Sequence, residues 1–265
     1  MDERITRLGL VEDADIELDK AALEIAALDH PDTDLAPYLR LLDDMAARLQ
    51  ARTPSARSLS QQAACLAELV GVEFGFQGDQ QSYNDPANAD LIRVIDRRRG
   101  LPIALAILYV AMARRMGWTA NALNTPAHVL VSLGGPRALV VDPFNGGAVV
   151  SPGQLASFLH SALGPTAPGP EHVAPMTNRA ALVRLVSNQV TRAEQARELD
   201  RALALLERIT AFSPSYAFAW WDRARLERMT GDVAAARESL TAMLETTRDA
   251  KLRRQVISAL DALPG

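Results

Sequence analysis

Cysteine is nearly absent from this sequence: Cys65 is the only one among 265 residues. A single thiol cannot form an intramolecular disulfide, and it cannot supply a cysteine-based zinc site. We therefore expect a reducing compartment and predict a cytoplasmic location. Cys65 lies in a stretch whose apolar residues recur at helical spacing, and no basic residue adjoins it. These features predict a buried structural thiol, because nothing nearby would lower its pKa.

Long apolar runs and an excess of one charge are also missing. The longest apolar run, residues 101–113, covers only about thirteen residues and ends at Arg114 and Arg115, which is too short for a membrane span. The net charge is −4, with 48% apolar and 23% charged residues. This balance is typical of a soluble globular protein, and it gives no electrostatic reason to expect nucleic acid or a membrane as a partner.

Several motifs that would reveal an enzyme are absent as well. The sequence has no glycine-rich phosphate loop, no closely spaced histidine and glutamate pair for a metal, and no Gly-x-Ser-x-Gly elbow. His30, His160 and His172 each stand alone beside turns, so we interpret them as surface residues. We predict neither a metal nor another cofactor.

Helical periodicity dominates the first part of the chain. It predicts helices over 21–50, interrupted by a turn at 30–34, over 60–74, from Asp85-Pro86 to Gly100, and over 102–116. The last of these is apolar on nearly every side, which indicates a buried central helix. Short β-branched runs follow and predict a small antiparallel sheet with strands at 119–123, 129–133 and 139–142.

A segment rich in glycine and proline, residues 164–176, separates this region from an all-helical tail. We therefore predict an α+β domain over 1–163, a linker over 164–176 and a helical domain over 177–265. Small and apolar residues in the tail follow the spacing of a tetratricopeptide repeat: Trp220, Ala224, Gly231, Ala236, Leu240 and Met243. A shift of 34 residues towards the N-terminus again meets small or apolar residues: Val186, Val190, Ala202, Leu206 and Ile209.

Four short motifs carry a resemblance to a known family. They are Tyr83-Asn84-Asp85-Pro86-Ala87-Asn88, Asp96-Arg97-Arg98-Arg99-Gly100-Leu101-Pro102, Pro126-Ala127-His128 and Asp142-Pro143-Phe144-Asn145-Gly146-Gly147. The chain resembles the transglutaminase-like, papain-related superfamily over about 59–151, and more narrowly its SirB-type branch, in which tetratricopeptide-like helices follow. The resemblance implies a core helix opened by Gly-x-Cys, a histidine on a strand and an aspartate on the next strand. Ala127 departs from the glycine common in relatives and is expected to narrow the space beside His128.

The position of the implied nucleophile is occupied by Pro102. A cysteine at a helix N-terminus is activated by the helix dipole and a nearby histidine, whereas proline suits the helix start but offers no nucleophile. If residues 134–136 form the hairpin turn, His128 lies within about one residue of the position opposite Asp142, and the two can form a hydrogen-bonded pair. The alternative is a satisfied, half-buried histidine beside an aspartate that only caps its own turn.

Two further groups of residues are candidates for contacts with a ligand or partner. Arg97, Arg98 and Arg99 form either a solvated, partly ion-paired turn or an anion-binding corner near Pro102. The repeat spacing places Trp220 in the helical core and leaves Trp221 available to a partner.

The sequence supports two functions of different classes. The favoured hypothesis is a catalytically inactive transglutaminase-like protein whose tail binds a protein or peptide, in a regulatory role, with Pro102, His128 and Asp142 as a vestigial triad. The alternative is a cysteine-independent hydrolase in which His128, held by Asp142, acts as a general base.

Overall fold

The protein is described by a computed structural model that covers residues 2–53, 56 and 58–264. The chain divides into two compact units. One is Asp13–Leu185, and the other combines Met1–Glu12 with Val186–Gly265. In the described ranges, no helix is both long and apolar enough to cross a membrane.

The α-helices, in chain order, are α1 (Glu3–Leu10), α2 (Leu18–Ala27), α3 (Ala36–Arg52), α4 (Leu59–Leu66), α5 (Leu91–Arg97), α6 (Pro102–Arg115), α7 (Pro152–Leu163), α8 (Asn178–Gln195), α9 (Leu199–Phe212), α10 (Ala217–Thr230), α11 (Val233–Thr246) and α12 (Ala250–Asp261). The strands are β1 (Gln77–Gly78), β2 (Arg99–Gly100), β3 (Ala120–Leu123), β4 (Leu130–Leu133), β5 (Leu139–Asp142) and β6 (Ala148–Val150). This is the predicted α+β class, with a small sheet in a mainly helical chain.

Helix α6 is the centre of the larger unit. Pro102 occupies its first turn, where the fixed φ of proline suits helix entry and the missing N–H is not needed. Every residue from Pro102 to Ala113 is buried, because α2, α3, α4, β3 and β4 all pack against this helix. The helix is followed by Gly117 with φ +71°, in the left-handed conformation that glycine adopts without strain. The predicted buried central helix is therefore confirmed.

The main sheet is antiparallel, with strand order β3-β4-β5-β6. The short strand β6 was not predicted, because its three residues at the sheet edge lie on the surface and carry little apolar periodicity. The segment 174–176 runs beside β3, where the Asn124 N–H donates to the Ala174 carbonyl and the Met176 N–H to the Ala122 carbonyl. The end of the predicted linker thus belongs to the sheet-bearing unit, whose boundary falls within α8.

Two of the predicted helices have a more complex form. The stretch from Pro86 is a 3₁₀ turn, Pro86–Ala89, followed by α5, which is capped separately by Asp90. The stretch after α4 winds as a π-helix over Ala67–Glu73. Local hydrophobic spacing cannot separate these helix types, because they differ by one residue per hydrogen-bonded turn.

The smaller unit is helical. Helices α9, α10, α11 and α12 pack in succession, and α1 packs on α9. The contact of α1 is close, since a Cβ atom at Gly9 would lie 2.6 Å from the Ala211 carbonyl oxygen. The predicted first domain included these N-terminal residues, whereas α1 buries Ile5 and Leu8 in the smaller unit.

Most of the positions that resembled a repeat lie in the interior of this helical unit, although Gly231 is exposed and Trp220 is half-buried. Four of the first set are buried: Ala224, Ala236, Leu240 and Met243. The set 34 residues earlier is also buried: Val186, Val190, Ala202, Leu206 and Ile209.

Candidate functional site

His128 and Asp142 lie together in the sheet-bearing unit. The Nε2 atom of His128 is 2.8 Å from Oδ1 of Asp142, and the two side chains are only 13% and 12% exposed. Asp142 also caps the turn that follows β5, because its Oδ1 accepts from the N–H groups of Phe144 and Asn145. The two sequence-based interpretations of Asp142, as partner of the histidine and as a turn cap, therefore describe the same carboxylate.

The route by which His128 reaches Asp142 differs from the expected register. Val131 pairs with Val141, so Leu130 lies opposite Asp142 and His128 is two residues before that position. The shift arises because the connection between β4 and β5 is longer than the assumed three-residue turn. His128 precedes β4 and does not lie on it, although the even offset keeps its side chain on the face of Asp142.

The loop before β4 is held in an unusual conformation. Ala127 has φ +61°, a left-handed conformation that glycine adopts without strain. The backbone conformation therefore accounts for the glycine that the family resemblance implies here, and the expected narrowing of the space beside His128 is not needed to explain it. The hydroxyl of Thr125 donates to the His128 carbonyl at 2.6 Å and fixes the loop. Edge contacts with the rings of Phe144 and Phe158, at centroid distances of 5.6 and 5.3 Å, hold the imidazole in place.

The carboxylate of Asp142 is held in its ionised form. Burial opposes ionisation, but hydrogen bonds from His128 and from the Asn145 side chain outweigh it and lower the pKa of Asp142 below its usual value. Burial, reinforced by the negative charge of Asp142, raises the pKa of Tyr109. The Tyr109 hydroxyl is buried and has no hydrogen-bond partner within the described ranges. An ionised aspartate therefore lies near a neutral phenol.

The third member of a triad is not assembled. Pro102 is buried in the first turn of α6 and provides no nucleophile. Cys65 is a half-buried free thiol in α4, and it is not among the recorded partners of His128 in the described residues. What remains is a histidine and a carboxylate that could act together as a base.

Comparison with known proteins assigns the family. The sequence profile of the transglutaminase-like superfamily matches residues 36–187. The chain belongs to the transglutaminase-like superfamily. A UPF0162 protein of Xylella fastidiosa (strain 9a5c) is 30% identical over 243 residues, which cover 90% of this chain and 86% of that protein.

Other similarities are more limited. A UPF0162 protein of Vibrio cholerae is 34% identical over 115 residues, or 42% of each chain. A crystal structure of menin aligns with 96% of this chain and 72% of its own, at 11% identity and a TM-score of 0.43.

The three adjacent arginines of the transglutaminase-like domain have different surroundings. Arg97 forms ion pairs with Asp79 at 3.1 Å and Asp85 at 3.2 Å. Arg98 ends α5 with φ +56°, and its guanidinium lies 4.6 Å from the centre of the Phe76 ring. Burial lowers the pKa of Arg98. Arg99, in contrast, is exposed and lines an open cavity.

The two tryptophans of the helical unit also differ. The indole N–H of Trp220 donates to the Pro214 carbonyl at 2.8 Å, and both rings pack against the helical core. Trp221 additionally lines two cavities of this unit, one of them together with the exposed side chain of Phe218.

The sequence did not reveal a second pair of histidine and aspartate. The Nε2 atom of His30 lies 2.6 Å from Oδ2 of Asp90, and the imidazole is only 16% exposed, although the sequence was interpreted as placing His30 on the surface. No sequence motif joins residues sixty positions apart. Within the described ranges, no three histidine, cysteine, aspartate or glutamate side chains are grouped as metal ligands.

Proposed function

We propose that this transglutaminase-like protein is not a cysteine-dependent enzyme and acts as a protein-binding or regulatory factor. The observation that carries the proposal is Pro102 in the buried first turn of α6. The family resemblance implies a cysteine at this position, and a proline ring can neither attack a carbonyl carbon nor form a thioester. Cys65 is not a partner of His128 and does not replace the missing thiol.

In this proposal the pair of His128 and Asp142 serves the structure of the domain. Asp142 accepts hydrogen bonds from His128, Phe144 and Asn145, and so joins the loop before β4 to the turn after β5. Such a carboxylate stabilises the fold whether or not any chemistry takes place.

We further propose that the helical tail belongs to the tetratricopeptide-like arrays of the SirB-type branch and binds an extended peptide. Its support is the succession of helix pairs and the burial of Ala224, Ala236 and Leu240 at repeat spacing. Trp221 and Phe218 line a cavity with mainly apolar walls, and half-exposed aromatic side chains are favoured anchors for partners.

The two parts of the proposal call for separate experiments. For the first, the full-length protein is assayed for hydrolysis and transamidation of amide and ester substrates, with and without a thiol-blocking reagent. We expect no turnover above the reaction in buffer. Turnover abolished by the reagent would show that Cys65 is a nucleophile after all.

For the second part, full-length protein is compared with Trp221→Ala in partner capture from cell extract. Met229→Ala is the matched control, because Met229 is an exposed apolar residue of the same helix, 60% exposed, outside the lining of these cavities. We expect Trp221→Ala to lose the partner and Met229→Ala to retain it. Retention by both variants would remove the tail cavity from the proposal.

A hydrolase independent of cysteine is the second candidate. The 2.8 Å contact between His128 and Asp142 favours it, because an oriented imidazole can accept a proton from water. General-base assistance supplies only about 10²–10⁴-fold acceleration, so any activity would be modest. Turnover that His128→Ala abolishes and thiol blocking leaves unchanged would establish this candidate and refute the first.

A further inference from the structure

An open cavity of about 620 Å³ lies in the sheet-bearing unit. Its walls come from the π-helical segment, from the strands β1 and β2, and from the turn after β5. The volume is in the range of small-ligand sites, which is roughly 300–1,000 Å³. Glycines at 71, 78 and 146 contribute to the lining, so the backbone is accessible there.

Among the residues that the structure describes, Arg99 is the only charged one that lines this cavity. The adjacent Arg97 is occupied by Asp79 and Asp85, and Arg98 lies over the ring of Phe76. In the described part of the chain no acidic partner of Arg99 is recorded, and its guanidinium remains available to a ligand. An arginine without an acidic neighbour favours an anion and disfavours a cation.

Three glutamine side chains share the cavity with Arg99: Gln77, Gln80 and Gln81. No hydrogen bond of their side-chain amides to another described residue is recorded, although the Gln81 backbone N–H donates to Asp79. Each amide offers two N–H donors and one acceptor oxygen, so the group can complete the hydrogen bonds of a carboxylate held by the arginine.

The position of the cavity connects it to the transglutaminase-like site. Phe144 forms part of the lining, and the same ring makes an edge contact with the imidazole of His128. Asn145, also in the lining, donates its side-chain N–H to Asp142 at 2.7 Å. The cavity thus adjoins the His128 and Asp142 pair without including either residue.

We propose that this cavity binds a carboxylate group, with Arg99 as the charged anchor and the three glutamines as hydrogen-bonding partners. One guanidinium matches the single charge and two oxygens of a carboxylate in the fork geometry. A phosphate dianion would leave negative charge uncompensated. The carboxylate belongs either to a small organic acid or to the C-terminus of a peptide. This site is independent of the proposed peptide binding by the C-terminal helices.

The test is an NMR titration of the full-length protein that follows the side-chain resonances of Arg99 and the glutamines. The probes are N-acetylalanine, acetyl-Ala-Ala-Ala with a free C-terminus, the same peptide as its C-terminal amide, and inorganic phosphate. We expect at least one carboxylate probe to bind with a Kd below about 1 mM, and the amide and phosphate to bind at least tenfold more weakly. If only N-acetylalanine binds, the carboxylate belongs to a small organic acid. If the peptide with a free C-terminus binds more tightly, the carboxylate belongs to a peptide C-terminus.

Variants locate the binding. Arg99→Gln is expected to weaken carboxylate binding about tenfold or more, and Arg99→Lys and Gln81→Leu several-fold. Arg137→Gln is the matched control, because Arg137 is an exposed arginine in the connection between β4 and β5, and it should bind as the unaltered protein does. The proposal is overturned if no carboxylate saturates below about 10 mM, if the amide or phosphate binds equally well, or if folded Arg99 variants retain full affinity.

Discussion

His30 and Asp90 approach within 2.6 Å and join the turn after α2 to the start of α5. The carboxylate of Asp90 has two roles, because its Oδ2 contacts the imidazole while its Oδ1 accepts the Arg93 N–H in the first turn of α5. Both side chains are mostly buried, at 16% and 11% exposure. A single carboxylate therefore caps one helix and fastens it to a distant turn.

Removing either partner should destabilise the larger unit to a different extent. Asp90→Ala loses the helix cap and the contact with His30, and we expect the free energy of unfolding to fall by about 2–3 kcal/mol. His30→Ala loses only the contact, at a cost of about 1 kcal/mol. Urea denaturation measures both. His160→Ala is the control, since His160 is exposed and should show no change; an equal loss in the two histidine variants would contradict the assignment.

The positive φ of Ala127 predicts a stabilising substitution. An alanine at φ +61° is strained by its Cβ atom, and Ala127→Gly should raise the free energy of unfolding by up to about 1 kcal/mol. Chemical denaturation measures the change. Ala148→Gly provides the comparison, because Ala148 is an exposed strand residue without a positive φ and should lose stability on the same substitution. A loss of stability in Ala127→Gly would show that the loop is not strained.

The lowered pKa of Asp142 predicts a dependence of stability on pH. Asp142→Asn should cost about 1–3 kcal/mol at neutral pH, because the ionised carboxylate accepts several hydrogen bonds. The folded-state pKa lies below the unfolded value of about 3.9, so this stabilisation is complete above about pH 5 and is lost as the pH falls through the folded pKa.

The measurement is urea denaturation of both proteins between about pH 7 and pH 3, with the difference in unfolding free energy plotted against pH. We expect the difference to be constant at first and to shrink below about pH 4. Asp43→Asn, at an exposed position of α3, is the control. A difference that grows on acidification would reverse the sign of the inferred shift.

Gly147 should tolerate no side chain. Its φ is +78°, and a Cβ atom would lie 2.7 Å from the Tyr109 hydroxyl and 2.8 Å from the Ala67 Cβ atom. Tyr109 is buried and Ala67 is half-buried in the π-helical segment, so neither can move away easily, and we expect Gly147→Ala to lower the free energy of unfolding by about 2–4 kcal/mol. Thermal denaturation tests this against Gly153→Ala, where a Cβ atom meets open space within α7. Unchanged stability in Gly147→Ala would mean that the turn can move away from Tyr109.

The elements predicted best were those whose signal is local. The continuous apolar surface of residues 102–113 defined the buried helix α6, and Pro102 and Gly117 marked its two ends. The strand β6 was missed because its three residues lie at the surface and show no periodicity of apolar side chains. The π-helical segment was predicted only as helix, because hydrophobic spacing does not distinguish it from an α-helix.

The candidate site shows the same division. The sequence motifs drew attention to His128 and Asp142, yet the expected register was wrong because the β4–β5 connection was assumed to be the three residues 134–136 and in fact covers 134–138. The three arginines looked equivalent in sequence. Arg97 and Arg98 contact residues of other elements, and of the described charged residues only Arg99 lines the open cavity of the sheet-bearing unit.

By itself, the sequence determined the α+β class and the buried central helix. Its short motifs also showed the resemblance to the transglutaminase-like superfamily and placed Pro102 where that resemblance implies a cysteine. The fold class and the central helix follow from hydrophobic spacing, whereas the transglutaminase-like pattern and the position of the implied nucleophile come from the resemblance of short motifs to a known family. Only the tertiary structure decided that His30 meets Asp90, that α1 packs with the C-terminal helices, and that no acidic residue in the described ranges pairs with Arg99. Such contacts join residues that are distant along the chain, and short-range periodicity carries no information about which of them meet.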